Sequence, residues 1–96
     1  MTELTPRQID LLKLIIREYT ESADPVGSEI LEKKYHLGVS PATIRNDMVS
    51  LTKHGYLEKA YFSAGRVPTS KAFRFYIKYL MEEKELSTAD EVSSKK

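Results

Sequence analysis

The sequence contains no cysteine, which rules out a disulfide framework and a cysteine-based metal site and suits a reducing cytoplasm. Its apolar runs are much shorter than a membrane span, and its N-terminus lacks the basic-then-apolar pattern of a signal peptide. A chain of 96 residues allows one small domain. These absences predict a cytoplasmic protein with no membrane partner.

Signatures of enzymes are absent as well. His36 and His54 are the only histidines, and neither has partners at the spacing that zinc sites need. The sequence has no phosphate-binding glycine loop, no nucleophile elbow and no pair of carboxylates bracketed by apolar residues. We therefore expect no catalytic residue, no metal and no cofactor, and conclude that the chain is not an enzyme.

The formal net charge of +1 conceals a strong segregation of charge along the chain. Residues 1–40 and residues 81–96 each carry a net charge of −2, whereas residues 41–80 carry seven basic residues against two acidic ones, a net charge of +5. A surface that faces nucleic-acid phosphates needs such a basic region, because neutralising the backbone supplies most non-specific affinity.

The basic region begins with a segment that has clear helix signals. Ser40 is a good N-cap, Pro41 suits the first helical position, and Gly55 suits the left-handed position that ends a helix. The sequence thus predicts a helix over residues 41–54.

The two faces of this helix differ in composition. At about 100° per residue, Ile44, Met48 and Leu51 form an apolar side typical of a core contact. The opposite side and its flanks carry small, amide, hydroxyl and basic groups: Ala42, Thr43, Arg45, Asn46, Val49, Ser50 and Lys53. Arginine and asparagine can pair bidentately with guanine and adenine, so this side is suited to a DNA groove. The alternative is a solvated helix face with a chance Arg-Asn pair.

Two helices are expected before it. Thr5, Pro6 and Gln8 form the capping-box pattern at the start of a helix over residues 6–22. A second helix is predicted from Gly27-Ser28 to about residue 35, with Val26 before it in a short strand or bridge and Gly38 closing the following turn. Its expected buried residues are Ile30, Leu31 and Tyr35. A helix, a tight turn and the capped helix at Ser40 make a helix-turn-helix.

An extended hairpin is expected after the third helix. Residues 56–62 contain aromatic strand formers, and residues 63–66 form a turn with Val67 restarting a strand. A hairpin in this position is a wing, and Arg66 at its tip is placed to enter a minor groove or to reach a phosphate. The alternative is a generic hairpin whose arginine is merely solvated.

A last helix, capped by Thr69, is predicted over residues 70–84, with residues 85–96 as a disordered tail or linker. Lys71 and Arg74 near its start are candidate phosphate contacts, or more simply solvating charges. The apolar side of this helix is wider than one intramolecular contact needs. We expect part of it to pack on the first helix and the rest to meet another chain, such as a second copy, or a further domain. Its apolar residues are Ala72, Phe73, Phe75, Tyr76, Ile77, Tyr79 and Leu80.

Four segments together closely resemble the N-terminal domain of the heat-inducible transcription repressor HrcA family. These are residues 25–28, residues 37–48, residues 55–58 and the wing segment 63–69. The resemblance implies repression of chaperone operons by a dimer on an inverted repeat called CIRCE, with the chaperonin keeping the repressor active. It also implies that Ala42, Thr43, Arg45 and Asn46 lie in the major groove, Ser40 near a phosphate and Arg66 on the wing.

The chain departs from the family pattern at two places and in length. Tyr61-Phe62 replaces a pair that is usually more polar, and Ala72 stands where glycine is common. Family members continue into a large dimerisation and regulatory region, so the chain corresponds to an excised DNA-binding domain or to a short relative.

The fold expected from the sequence is mostly α with a small β-hairpin, a winged helix-turn-helix over residues 1–84. The expected function is sequence-specific repression from an inverted-repeat operator, in the cytoplasm and associated with the nucleoid. The expected DNA contacts are Ser40, Ala42, Thr43, Arg45, Asn46, Val49, Lys53, Arg66, Lys71 and Arg74. Two alternatives are a protein-interaction module that uses helix 70–84 and a domain that grips structured RNA through the same charges.

Overall fold

The structure, a computed structural model, describes residues 3–80. The expected tail over residues 85–96 and the last residues of the fourth helix lie outside this range. The described elements are the helices α1 (Pro6–Ser22), α2 (Ser28–Lys34) and α3 (Pro41–Lys53), then the strands β1 (Leu57–Lys59) and β2 (Arg66–Pro68). A further helix, α4, begins at residue 70 and reaches residue 80. The architecture is mostly helical with one two-stranded antiparallel hairpin, as the sequence predicts.

The helix boundaries follow from their capping residues. The Thr5 hydroxyl accepts a hydrogen bond from the Gln8 amide, and the Gln8 side chain accepts one from the Thr5 amide, so α1 starts with a complete capping box. Ser40 caps α3 in the same way through the Thr43 amide. At the other end, Gly55 has a φ of 84°, a left-handed conformation that glycine adopts without strain.

One core holds these elements together. Side chains from α1, α2, α3 and the hairpin are almost completely buried in it, and the largest are Leu12, Ile15, Ile16, Val26, Leu31, Leu51 and Leu57. Helix α4 contributes the buried Ala72, and the Lys13 ammonium of α1 lies 4.7 Å from the centre of the Tyr79 ring. The expected packing of α4 on α1 is therefore present.

The helix α2 buries less than the sequence predicts. Leu31 is fully buried and Tyr35 is half-buried, but Ile30 is 40% exposed, so its expected burial is wrong. The reason is that α2 has only seven residues, of which Leu31 alone is buried in the core.

The hairpin is also shorter than expected. Leu57 pairs with Pro68 and Lys59 with Arg66, and each strand has only three residues. Tyr61 and Phe62 belong to the connecting loop instead of the first strand, and both are 92% exposed. Their aromatic character favours a strand, but Ala60, whose amide donates to the Gly65 carbonyl at 3.1 Å, is the last residue to pair across the hairpin, and the chain bends over residues 61–64.

Candidate nucleic-acid interface

The helix α3 is held in the core by one side. Ile44, Met48 and Leu51 are buried, as the 3.6-residue period predicts, and they pack with residues of α1 and of the hairpin. This contact fixes the direction of the opposite side of the helix.

Asp47 adds a second, polar attachment between α3 and α1. The Arg7 guanidinium donates from Nε to Asp47 Oδ2 at 2.6 Å and from Nη2 to Oδ1 at 3.1 Å, and Gln8 Nε2 donates to Oδ1 at 3.3 Å. The Asp47 side chain is almost fully buried, and the hydrogen bonds from Arg7 hold its pKa below the ordinary value. A two-pronged contact of this kind restrains rotation of α3 about its own axis.

The sequence analysis did not identify the pairing of Asp47 with Arg7, which lies 40 positions away in the chain. A signal was present, because an acidic residue on the inner side of an otherwise apolar helix face requires a partner. The local pattern alone could not say which of the basic residues supplies it.

The outer side of α3 is exposed along its length. Ala42, Arg45, Asn46, Val49 and Lys53 all face solvent. The inward position of Asp47 leaves this side without any carboxylate from α3 itself. A face with a small residue near its start, then a guanidinium and an amide, can approach the floor of a major groove and donate hydrogen bonds to base edges.

The start of α3 combines a cap with a second hydroxyl. The Thr43 amide donates to Ser40 Oγ at 3.2 Å, and the two hydroxyl oxygens lie 3.0 Å apart. Ser40 is exposed and Thr43 is half-buried. A capped helix N-terminus with exposed hydroxyls suits a phosphate oxygen.

The hairpin is fixed beside α3 by contact with the connection between α1 and α2. Val26 and Arg66 exchange two backbone hydrogen bonds of 2.9 Å, the isolated bridge that the sequence suggested at Val26. Gly65 lies so close to this connection that a Cβ atom there would be 2.9 Å from Pro25 Cβ and 3.1 Å from the Pro25 carbonyl carbon. The wing is therefore attached at its stem by backbone contacts.

Arg66 is not at the tip of the wing, and the expected position is wrong. It is the first residue of β2, it is half-buried, and its Nη1 atom donates to the carbonyl of Ala64 at 2.6 Å. Its Nε atom is buried without a hydrogen-bond partner. The guanidinium thus closes the loop of its own hairpin.

Lys71 is likewise engaged within the domain. Its Nζ atom donates to the His54 carbonyl at 2.7 Å and to the Glu3 carboxylate at 3.2 Å, and it lies 4.5 Å from the centre of the Tyr56 ring. The bond to the His54 carbonyl satisfies an acceptor at the end of α3. The Lys71 ammonium is thus engaged within the domain, whereas Arg74, one turn further along α4, is exposed; a phosphate contact from either residue stays a prediction.

A cleft of about 540 Å³ joins these parts on one side of the molecule. Its walls are the start of α2, the side chains of Arg45 and Val49 on α3, and the wing residues 63–66. The outer face of α3 and the wing loop therefore form one continuous concave surface.

Two further features of residues 3–80 concern other kinds of site. No group of three or more histidine, aspartate or glutamate side chains in this part of the chain could hold a metal ion. None of the helices within it is long and apolar enough to cross a membrane.

The three-helix core, the exposed third helix and the hairpin define a winged helix-turn-helix domain. Residues 30–69 match the DeoR-like helix-turn-helix domain family. The chain matches the N-terminal winged-helix domain of the heat-inducible transcription repressor HrcA family over most of its length.

Individual relatives agree with this assignment. The chain is 47% identical over 89 residues to the heat-inducible transcription repressor HrcA of Pelotomaculum thermopropionicum, and 48% identical over 85 residues to that of Carboxydothermus hydrogenoformans. The matches cover 93% and 88% of this chain but only 26% and 25% of the two relatives. The chain thus spans about a quarter of the length of the curated relatives it matches.

A solved structure shows the same fold. The crystal structure of a hypothetical protein at 2.2 Å resolution superposes with a TM-score of 0.81 and is 40% identical in sequence. It matches 86% of this chain, which corresponds to 26% of that structure.

Proposed function

We propose that the chain is the DNA-binding part of a transcription repressor of heat-shock genes and acts by occupying promoter DNA. The observation that carries the proposal is the outer side of α3, which exposes Arg45 and Asn46 while its one acidic residue, Asp47, is buried against Arg7. The relatives are named heat-inducible transcription repressors, which supports the same conclusion.

In this proposal α3 lies in the major groove. Arg45 and Asn46 donate to base edges, Ala42 permits close approach, and Thr43 and Val49 contact thymine methyl groups. Ser40 and the N-terminus of α3 bind one phosphate.

The remaining cations of the interface act on the DNA backbone. Lys53 at the end of α3 and Arg74 on α4 contact phosphates and fix the register of the helix in the groove. Arg66 supports the wing from its stem. Lys71 supports the end of α3 and makes no DNA contact.

The operator is an inverted repeat bound by two copies of the domain. Ile77 and Leu80 on α4 are 55% and 40% exposed, which gives each copy an apolar surface for pairing. The regions that the relatives have beyond this match are a second site for dimerisation. Control by the chaperonin rests on the family resemblance alone, and the site of action is the nucleoid in the cytoplasm.

Selection of bound duplexes from a random pool tests the proposal. The expected result is enrichment of one sequence in which two half-sites are related by a two-fold axis, because operator symmetry mirrors the symmetry of a dimer. Recovery of unrelated sequences after several rounds would contradict base reading by α3.

The exposed apolar side of α4 also supports a second candidate function, docking of a protein partner onto Ile77 and Leu80. Salt separates the two functions. DNA binding weakens steeply between low and moderate salt because it releases counterions, whereas an apolar protein contact changes little.

A further inference from the structure

The tip of the wing is aromatic instead of cationic. Tyr61 and Phe62 are each 92% exposed, and their rings meet edge to face with centroids 4.7 Å apart. Two adjacent aromatic side chains exposed to this degree are unusual on the surface of a small domain, where large apolar groups are normally covered.

The loop that carries the pair is firmly attached at its base. The Val26–Arg66 bridge and the close approach of Gly65 to Pro25 fix the stem, and the Arg66 guanidinium binds the Ala64 carbonyl inside the loop. Arg66, the side chain that the sequence suggested for the minor groove, is therefore held inside the loop by its hydrogen bond to Ala64. The aromatic pair projects from the rigid stem instead.

The position of the loop identifies what can cover the pair. Residues 63–66, which follow Phe62 directly, form one cleft with Arg45 and Val49 of α3. A duplex whose major groove receives α3 therefore passes next to the loop. Cations outnumber carboxylates in this region, which favours a polyanion over an apolar protein surface. The cations are Arg45, Lys59 and Arg66, and the carboxylates are Glu29 and Glu58.

We propose that Tyr61 and Phe62 form an apolar wedge that enters the minor groove beside the site of α3 and partly unstacks one base step. Apolar wedges of this kind open a base step and bend the duplex toward the major groove, which brings more of the backbone to the protein. This inference rests on the proposed function, since it requires that α3 hold the duplex in place.

The absence of tryptophan from the sequence gives a direct probe. In the variant Phe62→Trp the indole at the wing tip is the only tryptophan, and Thr20→Trp is a control with its indole on the exposed side of α1, outside both proposed surfaces. Each variant is titrated with a fluorescein-labelled duplex of the selected sequence. Binding is followed by fluorescein anisotropy, and burial of the indole is followed by tryptophan emission and acrylamide quenching.

The wedge predicts that DNA shifts the emission of Phe62→Trp and protects it from acrylamide, while Thr20→Trp is unaffected. Normal binding of Phe62→Trp with unchanged emission and quenching would overturn the wedge and leave the proposed function intact. A wild-type chain that binds no duplex would overturn both. Protection of Phe62→Trp that depends on protein concentration without DNA would assign the pair to a contact between copies instead.

A second measurement reports from the DNA and does not depend on the tryptophan. A 2-aminopurine placed in the duplex along the minor groove beside the α3 site brightens when its base step unstacks. Wild-type protein should brighten it, and the double variant Tyr61→Ala/Phe62→Ala should not. The double variant should also bind about tenfold more weakly, with an unchanged salt slope, because stacking is lost and no phosphate contact is removed. Equal brightening by both proteins, at saturating concentrations, would refute the wedge.

Discussion

Arg45 and Lys53 lie on the same exposed side of α3 but have different expected roles. Arg45 sits in the first half of the helix, at the edge of the cleft shared with the wing, and is the proposed base-reading residue. Lys53 is the last residue of the helix and is the proposed phosphate contact. The two side chains therefore allow base reading and phosphate binding to be separated.

Replacing Arg45 should relax the sequence preference. Arg45→Ala is expected to cost about 1–3 kcal/mol on the selected duplex and less on a scrambled duplex, because a bidentate base contact is lost. Lys53→Ala, the control, should weaken both duplexes about equally. Anisotropy titrations at a fixed salt concentration measure both ratios. Equal losses for Arg45→Ala on the two duplexes would refute its base-reading role.

Asp47 connects stability to pH. Its hydrogen bonds from Arg7 lower the pKa of the folded state below the ordinary value, so the ionised form is favoured by folding. The resulting stability is fully present above the unfolded pKa of about 4 and is lost as the pH falls through the lower pKa of the folded state.

The variant Asp47→Asn should be less stable than the wild type at pH 7, because the Arg7 guanidinium loses its ionised partner. The difference between the urea-unfolding midpoints of the wild type and the variant should become smaller as the pH falls below about 4. The control is Asp10→Asn. Asp10 is an exposed aspartate of α1 that forms no salt bridge within residues 3–80. A gap for Asp47→Asn that stays constant down to pH 2 would show that the ion pair does not hold α3 to α1.

The elements are positioned by a few contacts at their ends, and their lengths were largely predictable for that reason. Thr5, Ser40 and Gly55 act on the neighbouring turn only, so α1 and α3 could be placed from the sequence within one residue. Lys71 and Arg66 behave differently, since their partners come from distant segments or from the shape of a loop. Local patterns identify both as basic residues near the interface but cannot show that the fold already uses them.

The outward side of α3 was also predictable, because helical periodicity assigns each residue to a face. The exposure of Ile30 and the aromatic character of the wing tip were not predictable from the sequence. Both depend on how many residues a short element can pair or pack, which is decided by its neighbours in the fold.

Lys71 and Arg74 test this distinction on a single helix. Lys71→Ala should lower the free energy of unfolding by about 1 kcal/mol, because the last turn of α3 loses a cation and the Tyr56 ring loses its ammonium partner. Lys71→Ala should leave unchanged the salt slope, which is the slope of the logarithm of the DNA-binding constant against the logarithm of the salt concentration. Arg74→Ala should leave stability unchanged and lower the slope by about one unit. Thermal unfolding measures the stability of both variants, and DNA titrations over a salt series measure their slopes. A lower slope for Lys71→Ala and an unchanged slope for Arg74→Ala would identify Lys71 as the phosphate contact.

Gly65 and Gly27 form a second matched pair, in the attachment of the wing. A methyl group at Gly65 meets the backbone of Pro25 and Val26, whereas one at Gly27 has no atom within 4 Å. Gly65→Ala should therefore destabilise the domain by about 1–3 kcal/mol and weaken DNA binding. Gly27→Ala should cost less, because it meets no clash and only replaces a favourable N-cap residue of α2. Urea unfolding followed by titration measures both. Tolerance of Gly65→Ala would mean that the wing is not fixed to the connection between α1 and α2.

The whole domain presents two different surfaces. One combines the outer side of α3, the wing and the basic charge of residues 41–80, and the other is the apolar side of α4 around Ile77 and Leu80. We propose that the first surface binds DNA and the second binds a further protein chain. The proposed dimer would use both surfaces at once, since two copies joined through α4 would present two α3 helices to the two halves of a symmetric operator.

The most direct test of this assignment is an NMR titration of the isotopically labelled chain with the selected duplex, following each backbone amide. If α3 and the wing bind DNA, the largest shifts occur at residues 40–53, which are α3 and its cap, and at residues 59–66 of the wing. Large shifts confined to the amides around Ile77 and Leu80, with those of Arg45 and Asn46 unmoved, would contradict it.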